Sequence, residues 1–274
     1  MAKLEDVVAS KSLFLLDVEG VLLNNIDQAE PLPHAQDLIK QLRELNKRIL
    51  VLTDVARKSR RYVHKRLVSA GLYVKLEEVF NASYATAQYV KSQKPDAKCF
   101  LISEEGLIEE FYEAGLEIVF NDTADFVVVG VDRGLTYAEL NHAMRLVLKG
   151  AKFVCAGGSK TYTGAYLGDS GVYLGEYAIA MAISTATGKE PVIVGKPFGY
   201  LFKQALEYAG ASPEEAVLVG DSLAKDVAGA KPVGICSILV AQQSPKPSEL
   251  WKHPKPDFVI RDLGELCKAL SKLG

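Results

Sequence analysis

Residues 13–22 read LFLLDVEGVL: four apolar residues in a row, then an aspartate, then a glycine three positions on. A short apolar run with no polar alternation is what a strand buried on both faces looks like, and such strands build parallel sheets. Reading outward, the same unit recurs. Ala35, Leu38, Ile39, Leu42 and Leu45 repeat at three- and four-residue spacing, which predicts an amphipathic helix with Pro33 suited to its start. Residues 49–52 form a second apolar run ending at Thr53, and a basic helical stretch follows and stops near Gly71, a C-cap residue type. Further strands are predicted at 99–102, 118–120, 126–129, 153–155, 192–194, 216–219, 235–240 and 258–260. Helices are predicted around 104–114, 137–148 and 177–186, with another closing the chain. This alternation predicts an α/β fold with a parallel sheet.

The bulk composition agrees with a chain that buries a core: 274 residues, 49% apolar and 24% charged. A net charge of -2 gives no electrostatic reason to expect nucleic acid or an anionic membrane as partner. The basic cluster Arg57-Lys58-Ser59-Arg60-Arg61 reads as a solvated helix face. Cys99, Cys155, Cys236 and Cys267 lack zinc-type spacing, and three lie in or beside apolar runs, so they read as small core hydrophobes. A reduced, cytoplasmic protein is the expectation. The stretch MAKLEDVVASKSLFLLD does not read as a signal peptide, and the longest apolar runs fall far short of a membrane span. Residues 242–256, with four prolines and Trp251, read as a surface connection.

Polar residues stand at three strand ends, Asp17, Thr53 and Asp221, and Lys196 follows a fourth strand. In open α/β sheets ligands bind beyond the carboxyl ends of the strands, so these four can converge on one crevice. A strand-end aspartate alone reads equally well as a helix N-cap. Together they suit one chemistry. A carboxylate can attack phosphorus and split a hard hydrolysis into two easier steps. Bringing anion to anion calls for a hard cation, and Mg²⁺ takes one or two carboxylates plus water and phosphate oxygens, which Asp17 and Asp221 can supply. Asp226, one helical turn past Asp221, can hold a metal-bound water. Lys196 can neutralise charge on the phosphoryl oxygens and Thr53 can donate a hydrogen bond to one of them.

On these residues the sequence resembles the haloacid-dehalogenase superfamily, in the NagD-like or 4-nitrophenylphosphatase branch. The resemblance rests on DVEGVL (17–22), Thr53 in VLTD, Lys196 in GKP and, most specifically, GDSLAKDVAGAK (220–231). It implies a Rossmann-like doubly wound core over residues 1–81 and 187–274, with an inserted α/β cap over 82–186. It also implies a role for each matching residue. Asp17 is expected as nucleophile and metal ligand, the Glu19 backbone carbonyl and Asp221 as further ligands, and Ser222 and Asp226 as support for the metal. Gly158, Ser159, Lys160 and nearby Tyr162 are the cap residues expected to meet a small phosphorylated metabolite. Caps of this branch often mediate dimers, which admits a homodimer.

Three departures from the family pattern bear on activity. Its phosphatases carry aspartate two residues after the nucleophile, as general acid and then base; here Glu19 stands there. Glutamate's intrinsic pKa is close, about 4.3 against 3.9, but a shift of about 1 Å in the carboxyl can cost on the order of a hundredfold. Asp54 replaces an asparagine and either faces the phosphoryl group or caps the helix expected near Arg57. The cap turn reads AGGSK (156–160) in place of Asn-Pro-Asp. Hydrolysis of a phosphomonoester, binding of a phosphorylated ligand without turnover, and phosphoryl transfer to a sugar all stay open. His34, His64, His142 and His253 have no metal-ligand spacing, Tyr84 and Tyr89 read as packing residues, and no dinucleotide or ATP loop is present.

Overall fold

Burial on both faces explains why β1 has no polar alternation: Leu13, Phe14, Leu15 and Leu16 are each at most 1% exposed, and each fully buried side chain of this size contributes about 1.5–3 kcal/mol. The computed structural model describes residues 3–241, 249 and 252–273. Among these, the first elements are α1 (Leu4–Ser10), β1 (Leu13–Leu16), α2 (Ala35–Glu44), β2 (Arg48–Thr53), α3 (Arg60–Ser69) and β3 (Val79–Asn81). There follow α4 (Ala82–Gln93), β4 (Lys98–Ile102), α5 (Glu105–Glu113), β5 (Glu117–Ile118), β6 (Phe126–Val129), α6 (Tyr137–Leu148) and β7 (Lys152–Cys155). A hairpin of β8 (Thr161–Tyr166) and β9 (Asp169–Leu174) precedes α7 (Glu176–Thr187), β10 (Val192–Ile193) and α8 (Gly199–Ala209). The last are β11 (Ala216–Gly220), β12 (Cys236–Val240), β13 (Phe258–Ile260) and a C-terminal helix, Leu263–Leu270.

The chain divides into two compact units, one made of the residues up to Thr53, Arg61–Phe80 and Phe202 onward, the other of Asp54–Arg60 and Asn81–Leu201. The first unit holds a six-stranded sheet in the order β13-β12-β11-β1-β2-β3. The pairs from β13 across to β2 are parallel. Helix α2 buries Ala35, Leu38, Ile39 and Leu42 and packs on β2 and the C-terminal helix. Gly71 adopts the left-handed conformation just past α3, as its position in the sequence suggests.

The second unit holds a parallel sheet in the order β10-β7-β6-β4-β5. On one of its faces Phe100, Val127, Val129 and Phe153 meet Leu146, Val147, Ile179 and Ile183 of α6 and α7. Both sheets match the expected α/β architecture of a Rossmann-like core with an α/β cap.

Particular elements differ from the sequence reading. Residues 187–201, grouped with the core there, fall in the second unit, because Val192 and Ile193 pair with Val154 and Cys155 of β7. Residues 54–60 join the same unit: the Gly106 N–H donates to the Arg57 carbonyl at 3.2 Å, and the Arg60 N–H donates to Glu110. Helix α3 begins at Arg60, so Arg57 and Lys58 precede it and are not part of a helix face. Strand β5 stops at Ile118, leaving Phe120 82% exposed. The β8–β9 hairpin turns through Leu167 and Gly168, both at positive φ, the backbone that matches strand twist in a two-residue loop. Of the stretch 242–256, residues 242–248, 250 and 251 lie outside the described residues. Among the described residues no helix is long and apolar enough to cross a membrane.

Candidate active site

In the first sheet the chain runs outward from β1 to β2 and β3 on one side, and from β11 to β12 and β13 on the other. The order reverses between β1 and β11, and the carboxyl ends of strands at such a switch point open a crevice. Asp17 follows β1 and Asp221 follows β11, so both stand at that reversal. The Asp17 N–H donates to the Val219 carbonyl at 3.0 Å, which fixes the step from strand to loop. Its Oδ1 accepts the Val18 N–H at 2.8 Å.

Asp226 arrives from the helical turn Leu223–Val227, which is wound wide: the Ser222 carbonyl accepts from both Asp226 and Val227, at 2.9 and 3.1 Å. Wide turns of this kind cluster at functional sites. This one lays Asp226 over Gly220, where a Cβ would sit 2.4 Å from the Asp226 Cγ. The Ser222 N–H donates to Asp226 Oδ2 at 3.0 Å, and the Ser222 hydroxyl caps the turn by accepting the Lys225 N–H at 3.2 Å. Carboxylate oxygens of Asp17, Asp221 and Asp226 lie within 4.8 Å of one another, the first and last buried and Asp221 exposed. Together these oxygens could hold one cation. Their all-oxygen donor set suits a hard ion such as Mg²⁺ and not a thiolate- or imidazole-seeking metal.

Thr53 ends β2 and is 1% exposed. The register Leu16↔Val51 sets it level with Val18, one strand over from Asp17. Glu19 lies in the loop after β1, where the Val18 carbonyl accepts from Leu22 and Leu23 at 2.9 and 2.8 Å. Its Oε1 accepts the Ile26 N–H at 2.9 Å. Asp17, Glu19, Thr53, Asp221, Ser222 and Asp226 therefore share the carboxyl end of one sheet.

The remaining sequence candidates belong to the second unit. Asp54 opens it, half-buried, and Ser59, not Asp54, occupies the position before α3. Lys196 is 1% exposed. Its carbonyl accepts the Gly158 N–H at 3.0 Å, and a Cβ on Gly158 would come within 2.8 Å of that carbonyl and of Pro197. Gly158 is thus a packing residue of this loop. The Ser159 N–H donates to the buried Glu176 carboxylate at 3.0 Å and the Ser159 carbonyl accepts from Tyr177 at 3.1 Å. Lys160 is exposed, and its carbonyl accepts from Gly175 at 2.9 Å.

One cluster in the second unit escapes sequence reasoning. Glu104 follows β4 and Arg133 follows β6; the Arg133 guanidinium forks onto both Glu104 oxygens, one bond measuring 2.9 Å. Arg57 stands 3.9 Å from the same carboxylate, with its guanidinium 5.3 Å from the Tyr162 ring centre. Arg133 lies 4.8 Å from that of Tyr166. The hydrogen bond to Glu104 pushes the Arg133 pKa up, and burial pushes the Tyr162 hydroxyl up against the lowering pull of both arginines. A polar residue after a buried strand is the one local signal for Arg133, since the fork itself joins residues 29 apart.

Comparison with known proteins follows the same lines. Residues 14–117 match the family model of haloacid dehalogenase-like hydrolases, and residues 193–266 match a second model described as HAD-hydrolase-like. The chain is 30% identical to a dihydroxyacetone phosphatase of Corynebacterium glutamicum over 93% of its own length and 90% of the relative's. It is 30% identical to the 5′-nucleotidase YutF of Bacillus subtilis, over 92% and 96% of the two chains. Among solved structures, a p-nitrophenyl phosphatase from Archaeoglobus fulgidus superposes with a TM-score of 0.87 at 33% identity, covering 95% of this chain and 99% of that one.

Proposed function

The chain belongs to the haloacid dehalogenase-like hydrolases, and from that premise we propose that it is a Mg²⁺-dependent phosphatase of small phosphomonoesters. The observation that carries this reading is the meeting of Asp17, Asp221 and Asp226 at the reversal of strand order. Asp17 is the nucleophile. One of its carboxylate oxygens forms a bond to phosphorus as the bond to the leaving-group oxygen breaks, and Glu19 gives that oxygen its proton. Glu19, now a carboxylate, then takes a proton from water as the water displaces Asp17 from phosphorus, releasing inorganic phosphate and restoring Asp17 as a carboxylate and Glu19 as the protonated acid. The Val18 N–H on Asp17 Oδ1 supports this by fixing the carboxyl plane.

Asp17, the Glu19 carbonyl and Asp221 would hold Mg²⁺, with Asp226 and Ser222 behind its waters; the ion supplies the positive charge that lets two anions approach. Thr53 donates to a phosphoryl oxygen, and Lys196 is the cation that balances the charge growing there. Ser159 and Lys160 are proposed to contact the alcohol part of the substrate, and Asp54 to turn its charge away from the phosphoryl group. The names of the relatives, which act on dihydroxyacetone phosphate, nucleotides and p-nitrophenyl phosphate, support a small phosphorylated metabolite as substrate. A cytoplasmic setting and a cap-mediated homodimer belong to the same proposal, and four cysteines outside any disulfide fit the former.

The test is phosphate release from 4-nitrophenyl phosphate and a metabolite panel, with Mg²⁺ and with chelator, for wild type and Asp17→Asn. Turnover that needs both the ion and Asp17 supports the reading. A wild type that is stabilised by Mg²⁺ and phosphate in a thermal melt, yet releases no phosphate from any ester, overturns it in favour of binding without turnover.

A further inference from the structure

The carboxylate of Glu19 is held by a loop that is itself tied down from a distance. Residues 24–30 close on themselves through side chains. Asn24 Nδ2 donates to Gln28 Oε1 and Glu30 Oε2 at 2.8 and 2.9 Å, and Asn25 Nδ2 donates to the same Gln28 oxygen at 2.7 Å. The Gln28 N–H donates to Asn25 Oδ1 at 2.8 Å, and the Asn24 N–H to the Glu30 carbonyl at 3.0 Å. Ile26 sits in this loop with its side chain 1% exposed. Its N–H meets Glu19 on one side. On the other, its carbonyl accepts from Arg66 Nε at 3.0 Å, and the Asp27 carbonyl accepts from Arg66 Nη2. Arg66 lies in the last turn of α3.

A guanidinium is a rigid planar fork of donors, so one arginine can fix two successive carbonyls at once, which a lysine ammonium on a flexible stem does less well. Arg66 thus holds Ile26 at its carbonyl, while the Ile26 N–H holds the Glu19 carboxylate. We propose that Arg66 is a positioning residue for Glu19: it sets the place of the acid/base carboxylate through the Ile26 backbone, with no contact to substrate. This rests on the assignment of Glu19 as proton donor to the leaving group.

The test is kcat/KM, which reports the transfer of phosphoryl to Asp17, for two esters of unlike leaving group in Mg²⁺. 4-Nitrophenolate departs as a stable anion and needs little protonation, whereas the alkoxide of glycerol phosphate needs a proton as its bond breaks. A proton donor contributes about 10²–10⁴-fold, and displacement by about 1 Å can remove on the order of 10². Arg66→Met is therefore expected to lower kcat/KM for glycerol phosphate by about 10–100-fold, with a much smaller loss for 4-nitrophenyl phosphate. Arg66→Lys, which keeps the charge and one carbonyl contact, is expected to lose less with the same bias between esters. In a Glu19→Gln background, Arg66→Met should add nothing. Equal losses on both esters, or an undiminished loss in the Glu19→Gln background, would overturn the positioning role and leave the role of Glu19 standing. A Glu19→Gln variant that treats both esters alike would instead overturn the acid assignment, and the positioning role with it.

Discussion

Gly20 tests whether the carboxylate cluster is where the chemistry lies. Its φ is +80°, and a Cβ added there would stand 2.1 Å from Asp221 Oδ2, 2.6 Å from its Cγ and 3.2 Å from its Cβ. Spinning the carboxylate about its own axis relieves only the first of these contacts. The Cγ must retreat as well, by about 1 Å to reach van der Waals distance, and that takes a change of χ1 which moves the Asp221 carboxylate out of its present place in the cluster. The stability effect is small by comparison. A non-glycine residue in the left-handed region costs about 1–2 kcal/mol, and replacing glycine returns about 0.4–1 kcal/mol by narrowing the unfolded ensemble. A net loss of about 1 kcal/mol lowers Tm by about 2–4 °C in a chain of this size. Displacing a ligand by about 1 Å costs on the order of a hundredfold in rate. Gly20→Ala should therefore melt almost normally while losing about two orders of magnitude in Mg²⁺-dependent hydrolysis of 4-nitrophenyl phosphate, with a higher Mg²⁺ midpoint. A variant within about twofold of wild type in both would refute the reasoning, because Asp221 would then be free to move without consequence.

Two further outcomes follow from titrating groups away from this cluster. Burial alone would raise the Asp257 carboxyl, but the Lys231 ammonium and the Ser237 N–H and hydroxyl more than reverse it and hold it below its ordinary value. A depressed folded pKa contributes stability that is present above the unfolded value, about 3.9, and disappears as pH falls through the folded one. Asp257→Asn should accordingly lose stability at pH 7 and show a flatter decline below pH 4 in urea melts; an unchanged acid limb would count against this. Burial pushes Cys99 up to about 12 and Cys267 up to about 11, and raises Cys155 and Cys236 as well. Since the thiolate is the reactive form, the native protein should react slowly with a thiol-specific disulfide reagent at pH 8 and fully once unfolded, whereas prompt labelling of the native chain would contradict it.

What the sequence made legible depended on how local each signal was. The strand-end positions of Asp17, Thr53 and Asp221 could be read because a buried strand of four or five apolar residues announces its own end. Sheet order could not be read this way. Residues 192–193 look like any buried strand, and only pairing with β7 assigns them to the second sheet. The β8–β9 hairpin was hidden because its strands, TYTGAY and DSGVYL, are each broken by a glycine, Gly164 and Gly171 opposite each other, and its turn signal is the single dipeptide Leu167-Gly168. Charge runs misled in the same manner. Arg57 and Arg60 sit three apart, as on a helix face, yet Arg57 lies before the helix and meets Glu104, 47 positions along the chain by number (104 − 57). Contacts of that range leave no periodicity to find.

Glu19 was legible as a departure but not as a fitted residue. A longer side chain brings one more torsion, and an unanchored carboxyl would spread over several positions, losing the alignment that proton transfer needs. The Ile26 N–H at 2.9 Å gives that carboxyl a fixed end point, and side-chain hydrogen bonds among Asn24, Asn25 and Gln28 tie the loop that carries it. The added methylene is thus taken up by where the anchor stands. An anchored carboxyl two residues from Asp17 is the geometry that the proposed exchange of a proton with the leaving group and with water requires.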